Sequence, residues 1–170
     1  MSKDHGFSLI ELLVVVAVIL IIAAISIPNL LRARMAANES SAVSSLRTMM
    51  TAEVAYDTAY PSIGYVDLTT LGGAAPCTPS STTACLIDSV LTSGTKNGYF
   101  FSALGATPAN GINTSFVVGA APFSPNVTGV RRFCGANDNV IHYDLNPGLS
   151  SALPTASDCV QAPFVGQVIQ

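Results

Sequence analysis

Glu11 is the residue that most invites a chemical reading, because of its surroundings. From Leu12 to Ile25 there is no polar side chain. With Leu9, Ile10 and Ile27 the run makes roughly 19 apolar residues, a length of about 28 Å as helix. A carboxylate inside such a run costs on the order of 2.5–3.5 kcal/mol at a bilayer centre, and less toward an end, so it calls for a partner. An α-amino group made by a cut just before Phe7 would lie about one helical turn away. It could pair with Glu11 of its own chain or of a neighbour. Cysteine is the next candidate chemistry: Cys77, Cys85, Cys134 and Cys159 permit more than one disulfide pairing.

The remaining candidates are thinner. His142 would have to carry any Ser-His-Asp or Cys-His site alone, since the other histidine, His5, lies near the start of the chain with no ligand partners nearby. It alternates with Ile141 and Tyr143 and reads as structural. Asp138, Asn139, Asp144 and Asn146 offer oxygen ligands to calcium, but their spacing fits no calcium loop and turn chemistry explains them more simply. Arg131-Arg132 reads as a solvated strand edge in preference to a patch for DNA or surfaces. There is no phosphate-binding glycine loop and no zinc-type spacing. The sequence therefore reads as that of a protein that is not an enzyme.

The elements that must position these residues follow in order. The apolar run is apolar on all sides, with no face for water. It is too long for an ordinary secretory signal and is followed by no small-x-small cleavage site, so residues 7–28 read as a resident membrane helix. Pro28 removes one backbone donor and is expected to kink or open the helix without ending it. Residues 29–60 contain no Gly or Pro and are rich in Ala, which predicts an amphipathic stem helix. Its apolar stripe is Val43, Leu46, Met50 and Val54, with Arg32, Arg34, Glu39, Arg47 and Asp57 elsewhere. Residues 61–97 are irregular, with Gly72-Gly73, Pro76, Pro79 and a Ser/Thr run, and a short helical turn over 86–91. Residues 98–144 carry four strand signals: 99–101, 115–118, 129–134 and 140–143. A loop over 105–113 and a turn over 135–139 separate them, and an antiparallel meander follows. Residues 145–170 form a Pro/Gly/Ser-punctuated tail.

Composition bounds the class. The chain has 170 residues, 49% of them hydrophobic and only 10% charged, with mean hydropathy +0.50. The charged fraction is far below the ~25% of an ordinary soluble domain, which suits a molecule packed among copies of itself. Net charge is −3, so no broad basic surface for nucleic acid exists. Four cysteines behind such a helix point to disulfides formed outside the cytoplasm.

Gly6-Phe7-Ser8-Leu9-Ile10-Glu11, followed at once by the apolar helix, resembles the type III signal sequence of type IV prepilins and the related type II secretion pseudopilins. The likeness continues through Pro28 and Asn29-Leu30-Leu31-Arg32-Ala33-Arg34, about the first third of the chain. It implies an α+β pilin fold: a long hydrophobic helix continuing into an amphipathic stem, packed on a four-stranded antiparallel sheet. It implies that residues 1–6 are a leader, removed by prepilin peptidase between Gly6 and Phe7, and that Phe7 is then N-methylated. Glu11 becomes the family's acidic residue at the fifth mature position, pairing with the Phe7 amine between neighbours, and the Pro28 region loosens in the fibre.

One feature departs from the family: the leader is barely basic, Asp4 offsetting Lys3. Arg32 and Arg34 also lie beyond the far end of the helix. The positive-inside rule therefore does not orient the chain, and the leader is placed in the cytoplasm by the resemblance and the cysteines. Sequence proximity, and the family's habit of stapling its C-terminal loop to the sheet, select Cys77–Cys85 and Cys134–Cys159. The first pair matches no family position. Such bridges are worth about 2.5 and 3.5 kcal/mol in the chain-entropy model.

The expected function is a structural subunit of a type IV pilus, used in adhesion, twitching motility or DNA uptake. The subunit is single-pass in the inner membrane before assembly, then part of a periplasmic and cell-surface fibre. Its partners are copies of itself, prepilin peptidase and the inner-membrane assembly machinery, with no nucleic acid. No cofactor is expected, calcium in some major pseudopilins being the alternative. The alternative functions are a major pseudopilin of a type II secretion system and a membrane-anchored domain that never assembles. Electron transfer along Phe7, Tyr56 and Tyr60 is less favoured than ordinary aromatic packing.

Overall fold

The structure, a computed structural model, describes residues 8–145, 151–155, 158–159 and 168–169. It divides into two compact units between Arg34 and Met35. The first helix, α1 (Leu9–Ala59), starts in the first unit and ends in the second.

In the first unit every large apolar side chain from Leu9 to Leu31 is exposed. The helix has no polar face there, none of the described residues covers it, and by length and composition it can cross a membrane. Pro28 lies inside the helix and does not end it. A proline deletes one hydrogen bond, and the strong helix formers around it sustain the rest.

The second unit is a twice-covered antiparallel sheet. Its strands are β1 (Thr95–Lys96), β2 (Tyr99–Ala109), β3 (Ile112–Pro122), β4 (Arg132–Ala136), β5 (Ile141–Asp144) and β6 (Val168–Ile169). They lie in the order β1-β2-β3-β4-β5-β6, each antiparallel to the next. One face carries Tyr99, Phe101, Ala103, Phe116, Val118 and Phe133, which form one core with Leu46, Met49, Met50 and Tyr56 of α1. Met50 sits so close to β4 that a Cβ on Gly135 would collide with its sulfur, so Gly135 sets the helix-to-sheet spacing. On the other face Val117 and Cys134 pack with Cys159. Covered on both sides, β3 reads from Phe116 to Pro122 as an unbroken buried run instead of an alternating one.

The α+β architecture of helix on antiparallel sheet is as expected, and its details differ in five places. The sheet has six strands among the described residues, not four. The added strands, β1 and β6, are two residues long each, too short to show an alternation, and lie in stretches that otherwise read as loop and tail. The loop expected over 105–113 is only Asn110-Gly111, with φ of 52° and 81°, and pairing is continuous up to Ala109↔Ile112. Both positive angles mark the tight hairpin turn that Asn-Gly favours. Pro108 tolerates the strand because β1 pairs only with Tyr99 and Phe100, leaving β2 an edge at Pro108.

The third strand starts at Arg132, not Gly129, because the N–H groups of Val130 and Arg131 go to the Glu39 carboxylate and not to a neighbouring strand. The stem's buried face is also rotated. Leu46 and Met50 are buried and Val43 partly so, but Val54 is exposed, while Ala42, Met49, Glu53 and Tyr56 complete the face. Val54 is displaced by roughly 100° around the helix from Glu53, enough to leave the sheet.

Between stem and sheet, α2 (Leu68–Leu71) and α3 (Ser89–Thr92) are single turns. Asp67 and Asp88 cap them, accepting from the Thr70 and Leu91 N–H groups at 2.8 Å each. The helical turn expected over 86–91 is thus centred slightly later.

Candidate functional site

Glu11 stands in the first turn of α1, on an exposed surface formed with Ile10, Val14 and Val15. Its Oε2 accepts the Ser8 backbone N–H at 2.9 Å, while the Ser8 carbonyl accepts the Glu11 N–H at 3.1 Å. This is half of a capping box: an acid three residues into the helix reaches back to the residue that begins it. The Ser8-x-x-Glu11 spacing carried that signal, and it had not been read from the sequence. Gly6 and Phe7 lie outside the described residues, so the expected cleavage point and the Phe7 amine do too.

In the second unit several charged groups are committed to the fold. Glu39, expected on the open side of the stem, is buried. Its Oε1 accepts the N–H groups of Val130 at 2.8 Å and Arg131 at 3.1 Å. Its Oε2 takes Nε and Nη2 of Arg131 at 2.8 and 2.7 Å. The Arg131 guanidinium in turn lies 5.6 Å from the Phe133 ring centre and 5.3 Å from that of Tyr143. Arg132 pairs with Asp144, its partner across the strands, at 2.5 Å. The Arg131-Arg132 pair is therefore tied inward to two carboxylates and is not the solvated edge expected from sequence.

Beside Glu39, the Asn38 amide donates to the Thr128 carbonyl at 2.9 Å, and the Asn97 amide donates to Ser41 Oγ at 2.7 Å. Glu53 is fully buried, and its Oε2 accepts the Val66 N–H at 3.1 Å. Burial pushes its carboxyl up to about 8 against the pull of that bond, and Asp67 and Asp57 add to the rise. Its spacing from Leu46, Met49 and Tyr56 placed it on the buried face, a signal masked by its charge.

The oxygen ligands considered for calcium have other partners. Asp138 bonds the Val140 N–H at 3.1 Å and His142 Nε2 at 2.8 Å, and Asp144 holds Arg132. Asn139 sits in the turn at φ 57°, and Asn146 lies outside the described residues. Among the described residues no three His, Cys, Asp or Glu side chains group as metal ligands. Tyr56 and Tyr60 rings stand 4.9 Å apart, and the Tyr56 hydroxyl donates to the Ser81 carbonyl. Cys77 is bridged to Cys85 and Cys134 to Cys159, with Cα separations of 6.0 and 5.7 Å. The second bridge fastens the tail across the outer face of β4.

The prokaryotic N-terminal methylation motif matches residues 1–27. The type IV major pilin protein PilA of Myxococcus xanthus is 41% identical over 54 residues, which cover 32% of this chain and 24% of that protein. The type IV wide pilus major component PilA4 of Thermus thermophilus is 58% identical over 40 residues, 24% of this chain and 30% of that protein. The chain thus matches about a quarter to a third of the length of these curated relatives. No solved structure matches.

Proposed function

We propose, from the premise that this chain carries the amino-terminal segment of the type IV pilin family, that it is the structural subunit of a type IV pilus. The observation that carries the reading is the exposed apolar part of α1, Leu9 to Leu31, opened by a methylation motif and bearing Glu11 in its first turn. Such a surface is stable in lipid, or bundled with copies of itself, and in neither case does it meet water. The subunit waits in the inner membrane, loses residues 1–6 to prepilin peptidase and is N-methylated on Phe7. It then polymerises with its helices in the fibre core.

Glu11 directs that exchange. In the single chain its carboxylate is occupied by the Ser8 N–H. Once the cut frees a cationic amine on Phe7, the amine of a neighbouring subunit is the stronger partner, because a bond charged at both ends outweighs one charged only at the carboxylate. That pairing removes an isolated charge from an apolar core and fixes the axial register between subunits.

The test is electron microscopy of sheared cell-surface material, with mass spectrometry of its subunit. The expected result is filaments whose subunit begins at N-methylated Phe7. A native polypeptide that starts at Met1 and occurs only as an envelope monomer would sink the reading. Loss of exoprotein release on deletion, without surface filaments, would instead assign the chain to a type II secretion system.

A further inference from the structure

Glu53 plays no part in the proposed assembly, yet the fold holds it in an unusual place. It faces the segment 60–67 that leaves α1, and it is fully buried there. Oε2 has the Val66 N–H, while Oε1 is buried and has no hydrogen-bond partner among the described residues. The titratable groups around it are Tyr56 and Asp57 on α1, and Tyr65 and Asp67 on the covering segment. The sheet meets that segment with the neutral Asn113 and with the Phe116 ring, 4.9 Å from that of Tyr65. None of these is a cation, and the two aspartates repel a charge on Glu53. A carboxyl in such a place holds its proton at neutral pH.

α1 is held by its own helical bonds, whereas the segment hangs on fewer. The N–H groups of Ile63 and Gly64 bond the Tyr60 carbonyl at 2.9 and 3.2 Å. The Tyr65 N–H bonds the Asn113 carbonyl, and the Asn113 N–H the Ile63 carbonyl, at 3.2 Å each. The Asn113 amide donates to the Tyr65 carbonyl at 2.7 Å.

We infer that Glu53 is a proton-operated latch on the segment from Tyr60 to Asp67: its carboxyl keeps its proton while the segment lies on α1 and gives it to water as the segment lifts. One O–H bond breaks on opening, the proton passes to solvent, and the carboxylate gains hydration. Closing reverses each step. Linkage then fixes the pH profile. A group whose closed-state value is raised to about 8 favours opening by about tenfold per pH unit, from about pH 5 to about pH 8, with a plateau above.

Hydrogen exchange on the full chain in detergent micelles, corrected for the intrinsic pH dependence of exchange, reads the opening at the amides of Tyr65, Val66 and Asn113. The expected result is that about tenfold slope in the native chain and a flat profile in Glu53→Gln. Infrared spectroscopy of the native chain provides a check that needs no variant: a protonated-carboxyl band present at neutral pH and lost with a midpoint near 8. A flat native profile, an unchanged slope in Glu53→Gln, or the absence of that band at neutral pH would each overturn the inference.

Discussion

Glu39 and Glu53 occupy the same buried face of one helix and differ in what meets them. Glu39 has a guanidinium and two backbone donors, so its charge is matched at every oxygen. Replacing it by Ala strips Val130 and Arg131 of their acceptor and is expected to lower stability by about 2–3 kcal/mol, read by chemical denaturation. Arg131→Ala should cost less, since the backbone donors survive. Glu53 has one donor for two oxygens. Its raised value means that the folded state holds a proton which the unfolded chain has already released. Stability from this group is therefore greatest at low pH, falls as pH rises from the ordinary carboxyl value to about 8, and is flat beyond. Glu53→Gln should remove that fall and stabilise the protein at pH 8 relative to the native chain, measurable as an upward shift in Tm. Neither burial was legible from side-chain type, because charge on a helix ordinarily means exposure. Only helical phase, of Glu39 with Val43 and Leu46 and of Glu53 with Leu46 and Tyr56, pointed inward.

At the scale of elements, the long β2–β3 hairpin turns on two residues. A Cβ on Gly111 would meet no atom within 4 Å, so only its φ of 81° opposes substitution, and Gly111→Ala should cost about 1 kcal/mol. Gly64, at φ 78°, has the Asn113 carbonyl against it as well, so Gly64→Ala should cost distinctly more. Thermal denaturation of the two variants side by side tests both. Removing the Cys134–Cys159 bridge with paired serines should cost about 3.5 kcal/mol in the chain-entropy model. The hairpin shows why the strands were only partly legible. Pro108, Asn110 and Gly111 read together as loop chemistry, and only the pairing of Ala109 with Ile112 shows that two of the three are the whole turn. The displaced start of β4 was not legible at all, since it depends on a carboxylate far away in sequence.

At the scale of the molecule, the apolar helix, its acid, the stem and the antiparallel sheet were all readable, because each rests on a long periodic or unbroken pattern. A chain begun at Met35 keeps the whole second unit, its core and both bridges. It should fold as a soluble protein, with sheet content retained in circular dichroism. In the full chain, Glu11→Ala should leave processing intact and sharply reduce filaments, counted by microscopy. Normal filaments from that variant would remove Glu11 from assembly. Asn38, Glu39 and Ser41 sit where the second unit begins, and each is fastened to a different point: Thr128, the Val130–Arg131 backbone, and Asn97. Tension drawn along the stem therefore arrives at three neighbouring rivets together, not at one after another. They share the load, and a pulled subunit should yield in a single abrupt rupture instead of peeling open.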